Sequence, residues 1–245
     1  DEAITEIRLA RPPVNALDQA LIDALREAIV EAIDGGAQGL VLSGAPGMFS
    51  AGVDVPALLQ RDRAGVHAFW QAFFRLCSTM ATAPVPLVAA VTGHSPAGGA
   101  VLALFCDYRV MAEGAYKIGL NEVQVGLTVP EPMQLALRRV VGGYRAERLL
   151  VSGAMLEAAQ ALAYGFVDEL APPDQVILRA RTWLDALLAL PRRPMLTTRR
   201  LARADLAEAW ASPERLDVDG FVDAFFLPET QAELHALAAR LKSKR

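Results

Sequence analysis

Residues 85–110 read "VPLVAAVTGHSPAGGAVLALFCDYRV". The run "VPLVAAV" is apolar throughout and short, which predicts a strand buried on both faces. "TGHSPAGG" is made of small and turn-forming residues and predicts a loop. "AVLALF" predicts the start of a helix, and "DYRVMAE" (107–113) the next strand. Strand, loop, helix and strand in that order predict a parallel sheet, whose neighbouring strands need crossover connections.

The stretch from Leu76 to Cys106 carries no Asp, Glu, Lys or Arg, long enough to raise the question of a membrane span. Pro84, Pro86, Pro96 and the glycine-rich loop interrupt it. It therefore reads as strand, loop and helix of a soluble core, with no membrane partner expected.

The same pattern extends on both sides. "AITEIRLA" alternates and predicts a first strand; "RPPVNALD" predicts a turn. Leu17, Leu21, Leu25, Ile29 and Ile33 recur at helical spacing, and Gly35-Gly36 ends that helix. "GLVLSG" predicts a buried strand and "APGMFSAGVD" a loop, with Asp54 placed to cap a following helix. Residues 65–83 predict a helix with Phe69, Phe73, Leu76 and Met80 on one face. After residue 130 the reading is helix after helix, punctuated by "VGG", "SGA" and "PPD". The expected class is α/β, with a core over 1–188 and a helical region over 189–245 that serves packing or assembly.

Of the 245 residues, 53% are apolar and 21% charged, enough for a sizeable core. Net charge is −4 and the isoelectric point about 5.5, without the basic excess of a nucleic-acid binder. Cys77 and Cys106 form no disulfide framework, which predicts a reducing compartment. The acidic start "DEAITE" is unlike a signal peptide. The expected location is cytoplasmic, or the mitochondrial matrix should a leader precede Asp1. No His, Cys and carboxylate cluster has metal-ligand spacing, so no metal is expected.

Two loops, "FSAGVD" (49–54) and "GHSPAGGA" (93–100), each follow a buried strand and precede a helix. Such loops aim backbone N–H groups at a ligand, and their small residues let it approach the main chain. The plainer reading of either is a tight turn packed on the sheet. Neither carries the phosphate-loop or dinucleotide pattern. A third stretch, "YKIGLNEVQVGL" (116–127), holds one carboxylate, Glu122, among apolar and small polar residues. Exposure or protonation are the cheap answers for a carboxylate in such surroundings.

"PPVNALD", "FSAGVD", "GHSPAGGAVLALFCDYRV", "IGLNEVQVGL", "GYRAERLLVSG" and "EAAQALAYGFVDEL", in this order, resemble the crotonase or enoyl-CoA hydratase/isomerase superfamily. The likeness runs from about Ile4 to Lys242 and is greatest to the Δ3,Δ2-enoyl-CoA isomerases of mitochondrial type. The resemblance implies a spiral of ββα turns and a C-terminal helical trimerisation region. It also implies an acyl-CoA thioester as substrate, with no separate cofactor, and a homotrimer or hexamer. It assigns the oxyanion-holding backbone N–H groups to Ala51 and Gly98. Ser50, Gly52, Asp54, Gly99, Val101, Leu127 and Phe73 are expected around the substrate.

Family hydratases carry two glutamates. One stands three residues after the oxyanion glycine, where this chain has Val101; the other matches Glu122. A single carboxylate suits a proton shift from C2 to C4 of a 3-enoyl thioester, taking and returning one proton. The apolar Val101 is expected to dry the site and raise the pKa of Glu122. Glu131 in "VPEP" is the candidate second acid, or an exposed carboxylate in a first helical turn. His94 can orient backbone or ligand, or simply pack the loop. Ser95 is not in a nucleophile elbow. Phe69, Phe73 and Phe74 are candidates for an acyl tunnel or for core. Phe225, Phe226, Lys242, Lys244 and Arg245 match a region that can touch CoA.

Overall fold

The computed structural model describes residues 3–211 and 213–242. It opens with β1 (Ile4–Arg8) and α1 (Gln19–Asp34). A strand–strand–helix unit then recurs. The first turn is β2 (Gly39–Ser43), β3 (Gly47–Met48), α2 (Val55–Leu58) and α3 (Arg63–Thr82). The second is β4 (Leu87–Val91), β5 (Gly93–Pro96) and α4 (Gly98–Leu104). The third is β6 (Tyr108–Ala112), β7 (Lys117–Gly119) and a 3-10 turn (Glu122–Val125). There follow α5 (Glu131–Val141), α6 (Gly143–Ser152), β8 (Leu156–Glu157), α7 (Ala158–Tyr164), β9 (Glu169–Ala171) and α8 (Val176–Leu188). The chain closes with α9 (Arg192–Ala202), α10 (Ala204–Ala211), α11 (Val218–Phe225) and α12 (Pro228–Lys242).

The first strand of each turn joins a five-stranded parallel sheet, ordered β1-β2-β4-β6-β9. The second joins a smaller sheet, β3-β5-β7-β8, in which only β8 runs antiparallel. Strand alternation divides the core. Leu87, Ala89 and Val91 of β4 face the main cluster with α1 and α3. Val88 and Ala90 face a second cluster, closed by Val176, Ala180 and Leu184 of α8. The spiral therefore carries the end of each small-sheet strand toward the same region, β5 running into α4 and β7 into the turn at Glu122.

Two expectations change here. "TGHSPAGG" is not wholly loop, since Gly93–Pro96 forms β5. The last third is not all-helical, since β8 and β9 lie in it. Both strands are too short to print a period on the sequence.

The C-terminal helices fold back onto this chain's own core. Arg199 of α9 grips Asp107 through two 2.8 Å hydrogen bonds. Arg203 donates to Phe105 O at 2.7 Å. Trp210 and Phe221 pack their rings against Phe74 of α3, the first tilted and the second edge-on. α12 packs against α2 and the 3-10 turn, and Thr230 Oγ1 donates to Gly126 O at 3.0 Å. Among the described residues, no helix is long and apolar enough to cross a membrane.

Candidate active site

The loop at 49–54 is laid against the segment Val14–Leu17 like a short strand. Ala51 N donates to Val14 O at 2.9 Å, and Leu17 N to Gly52 O at 2.8 Å. Asp54 N donates to Leu17 O at 3.0 Å, and Gly52 N to Ser50 Oγ at 3.2 Å. Leu17 and Val53 form a parallel bridge. In that geometry the N–H of Val53 points away from Leu17. It finds no acceptor among the described residues. This corrects the assignment of Ala51: its amide is committed to Val14, and the free donor lies at Val53.

The second loop brings Gly98 to the same place. A Cβ on Gly98 would stand 3.4 Å from Gly52 Cα and 3.5 Å from Val53 N. Gly98 is the first residue of α4, so its N–H has no intrahelical acceptor. The residue before it, Ala97, adopts φ 46°, an unusual conformation for a side chain. Its N–H is anchored on Gly119 O at 2.8 Å. Gly99 is packed hard onto the first loop, where a Cβ would come within 2.6 Å of Ser50 O. Val53 and Gly98 thus present two adjacent amides.

Glu122 arrives by the β7 side. β5 and β7 pair in parallel, with Ser95 opposite Ile118 and Pro96 opposite Gly119. Two residues beyond β7 the chain turns into the 3-10 turn that starts at Glu122 and ends on Gly126 at φ 75°. The Glu122 residue is half-buried, but its Oε2 is sealed from solvent and has no hydrogen-bond partner among the described residues. Burial raises its pKa to about 7, against a backbone hydrogen bond that lowers it. Such a carboxyl exchanges protons near neutrality. Ser95 Oγ and Asn121 Oδ1, in the strands and turn that carry these groups, are likewise buried without partners. Buried polar atoms left unpartnered on adjoining segments suit a site that meets a polar ligand.

The other expected residues divide. Ser50 is fully buried; its hydroxyl donates to Asn15 O at 2.7 Å and accepts from Gly52 N at 3.2 Å. Asp54 caps α2, accepting from Ala57 N at 3.1 Å, and also binds Arg11 at 2.8 Å. Val101 is 1% exposed on α4, a helix without any titratable residue. Leu127 is buried just after the 3-10 turn. Phe73 and Phe69 are core: both rings pack edge-on to Trp70, so Phe73 is corrected from substrate contact to packing. Phe74 does border a cavity of about 350 Å³, with Val129, Glu131, Arg215 and Phe221. That cavity touches neither Glu122 nor Val53 nor Gly98.

Glu131 opens α5 and is held by cations, with Arg138 at 3.3 Å and Arg215 at 3.9 Å. His94 orients backbone: its Nδ1 accepts from Lys117 N at 3.2 Å, extending the β5–β7 pairing by one bond. Phe225 is core and Phe226 packs edge-on to it. Lys242 ends α12, exposed, while Lys244 and Arg245 lie outside the described residues. Cys77 and Cys106 are buried free thiols, the first pushed above the usual range and the second to about 12 by desolvation. Among the described residues, no group of three His, Cys, Asp or Glu could hold a metal ion.

Arg11, Asn15 and Val53 were missed by sequence reasoning. The signal for Arg11 and Asn15 was the motif "RPPVNALD", where a polar Asn stands between apolar neighbours; Val53 had none. Arg11 bonds Ala16 O at 3.0 Å and pairs with Asp18 and Asp54, at 3.0 and 2.8 Å.

The family model described as "Enoyl-CoA hydratase/isomerase" matches residues 1–242. The mitochondrial enoyl-CoA delta isomerase 1 of Mus musculus is 34% identical over 245 residues, covering 99% of this chain and 85% of that protein. The crystal structure of human mitochondrial delta3-delta2-enoyl-CoA isomerase superposes with a TM-score of 0.94 at 31% identity, covering 99% of this chain and 96% of the other. A crystal structure of an enoyl-CoA hydratase from Mycobacterium ulcerans superposes with a TM-score of 0.82 at 30% identity, covering 92% and 97%.

Proposed function

The chain belongs to the enoyl-CoA hydratase/isomerase family, and from that premise we propose that it is an isomerase moving the double bond of a 3-enoyl-CoA to the 2-position. The thioester oxygen sits between the N–H groups of Val53 and Gly98. Their polarisation makes a C2 proton removable and stabilises the resulting dienolate. The Glu122 carboxylate takes that proton and returns it to C4 of the same dienolate. One group serves as base and then as acid, so no water is consumed.

The observation that carries this reading is the isolation of Glu122. Its Oε2 is buried without a partner, and α4 offers Val101 where a hydratase would need its other carboxylate. Glu131 differs in being ion-paired: its Oε1 accepts from Arg138 at 3.3 Å, while its Oε2, 3.9 Å from Arg215, is also buried without a hydrogen-bond partner among the described residues. A homotrimer belongs to the same proposal. Exposed apolar side chains such as Val151 and Leu178 are consistent with faces that become covered.

The test is product analysis by mass spectrometry and chromatography on two substrates given separately. 3-Hexenoyl-CoA should become 2-hexenoyl-CoA without change in mass. Crotonyl-CoA should not gain a water. Hydration of crotonyl-CoA with no isomerisation of 3-hexenoyl-CoA would overturn the proposal.

A further inference from the structure

Within the segment Ala51–Asp54, three of the four amides are tied down and one is left free. Ala51 is held by Val14 O, Gly52 by Ser50 Oγ, and Asp54 by Leu17 O, at 2.9, 3.2 and 3.0 Å. The template for this selection is the segment Val14–Leu17, and its centre is Asn15. Asn15 is 2% exposed and adopts φ 50°. Asparagine tolerates this left-handed region better than most side chains. Its Oδ1 accepts from Arg11 N at 2.9 Å, and its Nδ2 donates to Phe49 O at 3.0 Å. Its carbonyl accepts from Ser50 Oγ at 2.7 Å.

Ser50 links both halves of the site. Its hydroxyl donates to Asn15 O while accepting from Gly52 N, one residue before Val53. Its carbonyl lies against Gly99, one residue after Gly98. A shift of Ser50 would therefore move the two free amides relative to each other.

We infer that Asn15 and Ser50 are positioning residues: they touch no substrate, and they hold the loop in the register that leaves the Val53 N–H free beside Gly98. The inference rests on the enolate-forming function proposed above. Small displacements of a preorganised donor are expensive, because its stabilisation depends on distance and direction at the developing oxyanion. Loss of the Ser50 hydroxyl leaves the Gly52 amide and the Asn15 carbonyl without their partner.

The experiment compares wild type, Ser50→Ala and Asn15→Gly. Asn15→Gly deletes the side-chain bonds to Arg11 N, Met48 O and Phe49 O while keeping the positive φ accessible and the carbonyl in place. Each protein is checked for folding by circular dichroism, then assayed with 3-hexenoyl-CoA and titrated with 2,4-hexadienoyl-CoA. The absorption of that conjugated thioester moves to longer wavelength when its carbonyl is polarised. Ser50→Ala should lower kcat by about tenfold while KM stays within about threefold, a loss confined to the transition state. Its bound hexadienoyl-CoA should show less than half of the wild-type red shift. Asn15→Gly should change the same two readouts in the same direction, and decides the matter should Ser50→Ala not fold. A full red shift with unchanged kcat in the folded variants would overturn the positioning role. Absence of any red shift in wild type would instead strike the oxyanion reading itself.

Discussion

The two halves of the site are built on opposite principles. On the side of Val53 and Gly98, nearly every neighbouring polar atom is paired, and the loops are anchored at Val14, Asn15, Leu17 and Gly119. On the side of Glu122, a carboxylate stands on a short 3-10 turn with one oxygen buried and unpaired. The first half resembles a mould, its main chain tied down around the two amides it presents, although Ser95 Oγ on β5 is also buried and unpaired among the described residues. The second holds a carboxylate in an unfavourable state, and under the proposed function that is stability given up for reactivity. Fixed dipoles suit a developing negative charge, which must find its donors already in place. A proton carrier suits the reverse, because a fully solvated or ion-paired carboxylate would be a weak base.

The comparison is broken most severely on the rigid side by Gly98→Pro. Proline is tolerated at a first helical position and lacks the N–H. The added Cβ would meet the end of the Leu17 side chain at 3.0 Å, a flexible neighbour that can move. Isomerisation should fall by roughly 10²–10³-fold, the usual effect of one lost oxyanion donor. Stopped assays on protein of verified secondary structure would measure it.

On the reactive side, pH is the sharper tool. The pKa of Glu122 is raised to about 7, and the base form is the ionised one. kcat/KM should therefore fall about tenfold per pH unit below that value and level off above it. A steady-state pH profile with 3-hexenoyl-CoA reads this directly.

The same shift has a stability consequence of opposite sign. A carboxyl whose pKa rises from 4.5 to about 7 on folding binds its proton more tightly in the native state. Its contribution is fully present below the unfolded value and is lost as pH rises through the folded one. Replacing it by a neutral amide removes that loss, on the order of 3 kcal/mol. Glu122→Gln should thus raise Tm by several degrees at about pH 8 and change it little at about pH 4. Paired melting curves at the two pH values test this.

The smallest expected effect is at Glu131. Glu131→Gln removes half of an exposed pair with Arg138, which is worth little. Turnover should stay within about threefold of wild type, measured in the same isomerase assay.

How far the sequence could go follows from the same contrast. The buried strands β1, β2, β4 and β6, and the helices α1 and α3, were legible because apolar spacing reports which face is buried. β5, β7, β8 and β9 were not. They run two to four residues and are fixed by pairing with distant partners. Glu122 was legible because a carboxylate among apolar residues is a chemical anomaly in the sequence itself. The free amide was harder, since every residue but proline has an N–H. Which one is left over depends on the pairing of Leu17 with Val53, and the sequence does not print that pairing. Choosing Ala51 over Val53 was an error of that kind. Phe73 failed for another reason: helical spacing does not distinguish a tunnel wall from the aromatic core that it joins.

The most direct test of the account is the turnover of Glu122→Gln on 3-hexenoyl-CoA at about pH 8, where the wild-type group is ionised. Glutamine keeps the size and the buried oxygen but cannot carry the proton. The account predicts a loss of at least ~10²-fold with hexadienoyl-CoA still bound and red-shifted by the Val53 and Gly98 amides. A folded Glu122→Gln protein that isomerises within about threefold of wild type would contradict it.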